Sequence, residues 1–179
     1  MPDCYPIEGQ WLLPEWPEKW DIPVPFPFFE RQAGAKNILA LINAENKASV
    51  PSEAIIKLEK PVSVEKIYLL TANLTKTCKS YYPGAEVIVK YDSGDDQVIQ
   101  LIPPYTMSSF NQSFCVRALN IPFGQLNKTQ TMHKYGENTG LNLSDLVLDR
   151  ERKVKQISLR CVSTETVLGI LGMSLLKKS

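Results

Sequence analysis

Residues 85–101 read AEVIVKYDSGDDQVIQL. Val87, Val89 and Tyr91 alternate with Glu86, Ile88 and Lys90, the two-residue period of a strand with one face turned inward. A polar, glycine-containing break follows at 92–96, and Val98, Ile99 and Leu101 open a second apolar run. Two such runs around such a break predict a β-hairpin. The same grammar recurs on both sides. Toward the N-terminus lie NILALI (37–42), EAIIKLE (53–59) and VEKIYLLTA (64–72), the last two separated by Lys60–Pro61. Toward the C-terminus lie SFCVRAL (113–119), a short stretch around 129–133, DLVL (145–148), VKQISLRCV (154–162) and TVLGILGMSLL (166–176). In 154–162 the pattern turns Ile157, Leu159 and Cys161 inward and Gln156, Ser158 and Arg160 outward. The last run is apolar on both faces and belongs at the centre of a sheet, with Gly169 and Gly172 marking close packing or a bulge. About nine strands without an amphipathic helix predict an all-β fold, a β-sandwich of the jelly-roll kind.

Residues 1–35 have a different character. Seven prolines stand at positions 2, 6, 14, 17, 23, 25 and 27, among Trp11, Trp16, Trp20, Phe26, Phe28 and Phe29. Proline at this density blocks both a long helix and a central strand. The segment reads as an extended strap. Its aromatic side chains are expected either to cover one face of the sandwich or to dock on a neighbouring domain. Residues 36–179 then form the β module, and 179 residues suffice for one domain that buries roughly 70% of its unfolded surface.

Composition removes several classes of function. Twenty basic against 19 acidic residues leave a net charge of +1, which argues against a nucleic-acid or anionic-membrane partner. No apolar run approaches the ~20 residues of a membrane span. The first ten residues, MPDCYPIEGQ, lack the basic and apolar regions of a secretory signal, which suits a module of a longer secreted chain. Cys4, Cys78, Cys115 and Cys161 include no CxxC pair, so a zinc ribbon is not expected. They read as free thiols, Cys115 and Cys161 inside strands; an oxidising compartment leaves room for a Cys4–Cys78 or Cys78–Cys115 bridge.

Catalytic signatures are sparse. His133, in TMHKYG, is the sole histidine, so a triad would have to use it, and no nucleophile elbow, P-loop or GxGxxG accompanies it. Asp92, Asp95 and Asp96 offer oxygen ligands for calcium, but aspartate and glycine are also what the hairpin turn itself requires; no cofactor is expected. Asp145 and Asp149 flank a strand and carry the same two readings. Loop aromatics are more informative. Tyr81 and Tyr82 precede Pro83–Gly84, Tyr105 follows Pro103–Pro104, and Tyr135 precedes Gly136. A sugar presents apolar C–H faces that stack on such rings, while its hydroxyls want polar neighbours such as His133.

Three segments carry a resemblance: KIYLLTANL (66–74) running on to VIVKYDSGDDQVIQLIPPY (87–105), TMHKYG (131–136), and ISLRCVSTETVLGILGMSLLK (157–177). Together they resemble the galactose-binding-like β-sandwich modules attached to multidomain glycoside hydrolases of polysaccharide-degrading bacteria. In those modules a strand ending near a Leu-Leu-His type sequence pairs with a hairpin carrying Tyr-x-Asp-Gly; here Thr71 follows Leu69–Leu70, and Ser93 separates Asp92 from Gly94. The resemblance implies a noncatalytic carbohydrate-binding module of an exported enzyme, extracellular or periplasmic. Its contacts would be Tyr81, Tyr82, Tyr105, His133 and Tyr135. The alternative is an accessory domain that docks on the adjacent catalytic domain through Trp11, Trp16, Trp20, Phe26, Phe28 and Phe29 without binding sugar. Asn73, Asn111, Asn127 and Asn142 each open an N-x-S/T sequon. They suit either a glycosylated eukaryotic chain or a bacterial chain in which sequons carry no meaning, and the resemblance favours the second.

Overall fold

A computed structural model describes residues 39–43, 50–75, 81–109, 119–122 and 140–178. Eight strands account for the regular structure of the described residues: β1 (Leu39–Ile42), β2 (Glu53–Asn73), β3 (Ala85–Tyr91), β4 (Gln97–Leu101), β5 (Leu119–Pro122), β6 (Gly140–Val147), β7 (Lys153–Cys161) and β8 (Val167–Lys177). Every strand pairing is antiparallel. No helix occurs among the described residues, so the all-β expectation holds. None of them therefore forms a helix long and apolar enough to cross a membrane.

The hairpin of residues 85–101 forms as read. Val87 faces Ile99 and Val89 faces Gln97 across β3 and β4. Ala85, Val87, Val89 and Tyr91 are buried, while Lys90 is exposed. Gly94 takes a φ of +74° in the turn, a conformation that costs a residue with a Cβ about 1–2 kcal/mol. β7 lies against β3 and turns Ile157, Leu159 and Cys161 into the core, as their alternation predicts.

β2 differs from expectation. The runs 53–59 and 64–72 are one strand of 21 residues. Its first part pairs with β7, with a register shift between Lys57 and Val62. Pro61 falls inside that shift, where its missing N–H leaves no ladder bond unmade. From Val64 onward β2 pairs with β8, and from Lys66 also with β6. One continuous strand therefore joins the group β2-β7-β3-β4 to the group β1-β8-β2-β6-β5. Lys60–Pro61 marks a bulge, not a strand end.

β8 occupies the central place that its two-faced apolarity predicts, between β1 and β2. Gly172 pairs with Leu70 and Ile170 with Thr71, so a register shift falls between the two glycines, at Leu171. β6 begins at Gly140, earlier than the run 145–148, because its first residues alternate leucine with polar side chains and look like a loop. Of the expected strand 113–119 only Leu119 is described, at the start of β5; the stretch 129–133 and the strap 1–35 lie outside the described residues.

One buried cluster joins the two strand groups. It contains Val87, Val89, Ile157 and Leu159 from one, and Leu41, Ile67, Leu69, Leu146, Leu168 and Leu175 from the other. Each such side chain contributes roughly 1.5–3 kcal/mol by leaving water. Cys161 is buried and free; the other three cysteines lie outside the described residues.

Candidate functional site

The end of the fold where β3 starts and β4 and β7 finish holds a cleft. Gly84 N–H donates to Leu101 O (2.9 Å), and Gly84 O accepts from the N–H groups of Val162 (3.0 Å) and Ser163 (3.2 Å). Tyr81 N–H donates to Pro103 O at 2.7 Å, and Tyr105 N–H to Ile102 O at 2.7 Å. These bonds gather three chain segments around a space of about 280 Å³ lined by Tyr82, Pro83, Gly84, Pro103 and residues 162–166. The Pro103–Pro104 peptide is cis.

Three of the five sequence-expected contacts sit on these segments. Tyr81 and Tyr82 are 74% and 67% exposed, and Tyr105 is 39% exposed. Tyr81 has a φ of +67°, the left-handed region that a bulky residue adopts only at a cost of order 1–3 kcal/mol. The backbone thus holds an aromatic ring in water at an energetic loss. His133 and Tyr135 lie outside the described residues, as do Trp11, Trp16, Trp20, Phe26, Phe28 and Phe29.

Sequence reasoning missed the other wall. Residues 163–166, STET, stand between two apolar strands, and that hydroxyl-rich interruption was the available signal. The loop is tied from beneath. Thr75 Oγ1 donates to Glu165 O at 2.7 Å and accepts from Val167 N–H at 3.1 Å. Ser163 Oγ accepts from Glu165 N–H at 3.1 Å. Thr166 is fully buried, and its Oγ1 has no hydrogen-bond partner. The hydroxyl stands against Gly84, where a Cβ would come within 2.8 Å of Oγ1 and 3.1 Å of Met107 Sδ.

Several other reactive side chains among the described residues have structural partners. Cys161 Sγ lies 3.2 Å from Thr166 O and 3.6 Å from Gly84 O, and burial pushes its thiol pKa up, away from the thiolate that a nucleophile needs. Asp145 pairs with Lys66 at 3.1 Å. Asp149 accepts from Glu151 N–H (3.0 Å) and Arg152 Nε (2.8 Å), which hold its carboxyl below the usual range. In the hairpin turn Arg152 reaches Asp95 O at 2.6 Å and Ser93 O at 3.4 Å, over the Tyr91 ring at 3.9 Å. The guanidinium thus holds two backbone carbonyls of the turn. No group of three metal-ligating side chains occurs among the described residues.

Two sequons are closed by packing. Asn73 is buried, and its Oδ1 accepts from Thr75 N–H at 3.3 Å. Asn142 is buried, with Oδ1 accepting from Ser108 Oγ (2.9 Å) and Nδ2 donating to Ser108 O (3.2 Å). Asn111 and Asn127 lie outside the described residues. No family model, curated protein or solved structure matches this chain.

Proposed function

We propose that this chain is a noncatalytic, galactose-binding-like jelly-roll module of an exported glycoside hydrolase, and that it binds a glycan at the tyrosine-rimmed cleft. The observation that carries the reading is the exposed ring of Tyr82 lining a cleft together with Ser163, Thr164 and Glu165, with the exposed ring of Tyr81 next to it in the chain. Stacked rings take the apolar face of a sugar, and hydroxyl and carboxylate groups take its edge. Burying a ring that was left in water repays the strain held at Tyr81. The test is calorimetry and affinity gel electrophoresis against a polysaccharide panel. Tyr81→Ala and Tyr82→Ala should each weaken binding about tenfold, ~1.4 kcal/mol, with the fold unchanged. A folded wild-type protein that binds nothing across the panel rejects the proposal.

A second reading, an accessory domain that docks on its catalytic neighbour without binding sugar, draws on another surface. Ile55, Ser158, Ile88 and Val98 stand opposite one another across β2, β7, β3 and β4. Ile55 and Val98 are 54% and 52% exposed, between polar rows that contain Arg160–Glu86 on one side and Lys57, Gln156 and Lys90 on the other. Three apolar side chains, interrupted by the buried Ser158 and rimmed by polar residues, suit a domain contact. Ile55→Glu should then abolish association with the catalytic domain, while the folded wild-type protein binds no polysaccharide of the panel.

A further inference from the structure

β4 stands at one end of the strand order. Among the described residues it pairs with β3 alone, which leaves the backbone groups on its other side without a ladder partner. Proteins that keep such an edge to themselves guard it with a charge, a proline or a bulge. β4 reads QVIQL and has none of the three: its register with β3 runs from Ala85–Leu101 to Val89–Gln97 without a shift. Exposure marks the same flank as open. Val98 is 52% exposed on the outer face. Ile99 points inward opposite the fully buried Val87 yet is itself only partly buried, so water reaches it from the side away from β3. The strand is also fixed in place before anything pairs with it. Gln97 Nε2 donates to Val147 O at 3.0 Å, and its Oε1 accepts from the Tyr91 hydroxyl. Arg152 pins the preceding turn through Asp95 O at 2.6 Å.

We propose that β4 pairs antiparallel with β4 of a second copy of this chain, about a two-fold axis at Ile99. The edge calls for a strand without charge and with the same alternation, apolar inward and mixed outward, and β4 is itself such a strand. An axis at Ile99 sets Ile99 opposite Ile99 of the second copy, Val98 opposite Gln100 and Gln97 opposite Leu101, so inward residues meet inward ones. All five residues pair in this register. A slip of two residues one way runs β4 against the turn whose Ser93 and Asp95 carbonyls Arg152 already holds. The opposite slip sets it against Pro103, which has no N–H to donate. Ile99 against Ile99 closes the flank that water now reaches, and no like charges are brought together. A contact of five residues a side falls below the ~1,200 Å² of stable interfaces, so the dimer is a weak one, with a dissociation constant of about 0.1–1 mM.

Sedimentation equilibrium of the full chain, from micromolar to millimolar, should show a reversible monomer–dimer equilibrium. Val98→Lys puts two new like charges at diagonal positions about 7–8 Å apart across the paired strands and should weaken dimerisation about tenfold. Adding Gln100→Glu sets opposite charges face to face in this register, so Val98→Lys/Gln100→Glu should return to within about threefold of the wild-type affinity. Both side chains are exposed, and urea midpoints check that the variants stay folded. Ile55→Glu lies three strands away on the same face and should leave dimerisation unchanged. A wild type that stays monomeric at millimolar concentration overturns the proposal. So does a dimer indifferent to Val98→Lys, or one that Ile55→Glu dissociates, which places the contact on the face of the sheet and not at its edge. A double variant no better than Val98→Lys overturns the register and the pairing with it.

Discussion

Gly84→Ala tests whether the cleft is built as a close-packed joint. A Cβ at residue 84 would stand 2.8 Å from Thr166 Oγ1, 3.1 Å from Met107 Sδ and 3.4 Å from Thr166 Cγ2. The Met107 thioether sits on a flexible side chain and can yield, whereas Thr166 is short, β-branched and fully buried. Gly84 cannot retreat, because its N–H and O are held by Leu101, Val162 and Ser163. Overpacking of this kind costs about 1–3 kcal/mol. Alanine recovers about 0.4–1 kcal/mol by restricting the unfolded chain. The net loss should be roughly 1–2 kcal/mol, or about 2–4 °C in Tm per kcal/mol for a chain of this size. Urea titration at constant m-value measures it. Thr166→Ala removes both offending atoms and an unpartnered hydroxyl, so Gly84→Ala/Thr166→Ala should be more stable than the two single losses sum to, by about 1 kcal/mol. Thr166→Val keeps the bulk and drops only the polarity, so it should not rescue Gly84→Ala. A Gly84→Ala protein as stable as wild type, or a Thr166→Val rescue as large as that of Thr166→Ala, refutes the steric argument.

Asn142→Ala removes both hydrogen bonds to Ser108 inside the fold and should cost about 1–3 kcal/mol in denaturant titration. Peptide mass mapping after expression in a glycosylating host should find no glycan at Asn73 or Asn142. Arg152→Met releases the turn carbonyls and the Tyr91 ring, so hydrogen exchange at residues 92–96 should accelerate; added calcium should leave the wild-type Tm unchanged. Burial raises the Tyr68 and Tyr91 pKa values, and the Asp145 hydrogen bond raises that of Lys66. All three native groups hold their protons more tightly than the unfolded chain does. Their stabilisation is complete below about pH 10 and falls as pH rises through the raised values, so unfolding free energy should decline on the alkaline side, and Lys66→Met should flatten that decline.

The hairpin 85–101 and the strand 153–161 were legible because a two-residue period is a local property: each inward side chain is followed by one that meets water or a polar partner. The central place of β8 was legible for the complementary reason, since TVLGILGMSLL leaves no polar face for solvent. β2 was not. Pro61 reads as a break to any local rule, and only the register slip against β7 shows how the chain carries a proline through a strand. β6 was half-read, because Asn142 and Ser144 look like loop residues until Ser108 and Thr106 are seen to satisfy them. Of the cleft, the tyrosines were visible as exposed aromatics beside proline and glycine. The STET wall was not, because it reaches them only across 80 residues of chain.

By itself the sequence determined the class of secondary structure and which side of most strands faces inward, since alternation and composition act residue by residue. It also excluded any catalytic site that needs more than one histidine, because His133 is the sole one. Tertiary structure alone decided which strands are neighbours, that a single continuous strand joins two groups, that Asn73 and Asn142 are buried, and that Thr166 meets Gly84. Those depend on contacts between residues far apart in the chain, which no local pattern specifies and only the packed core brings together.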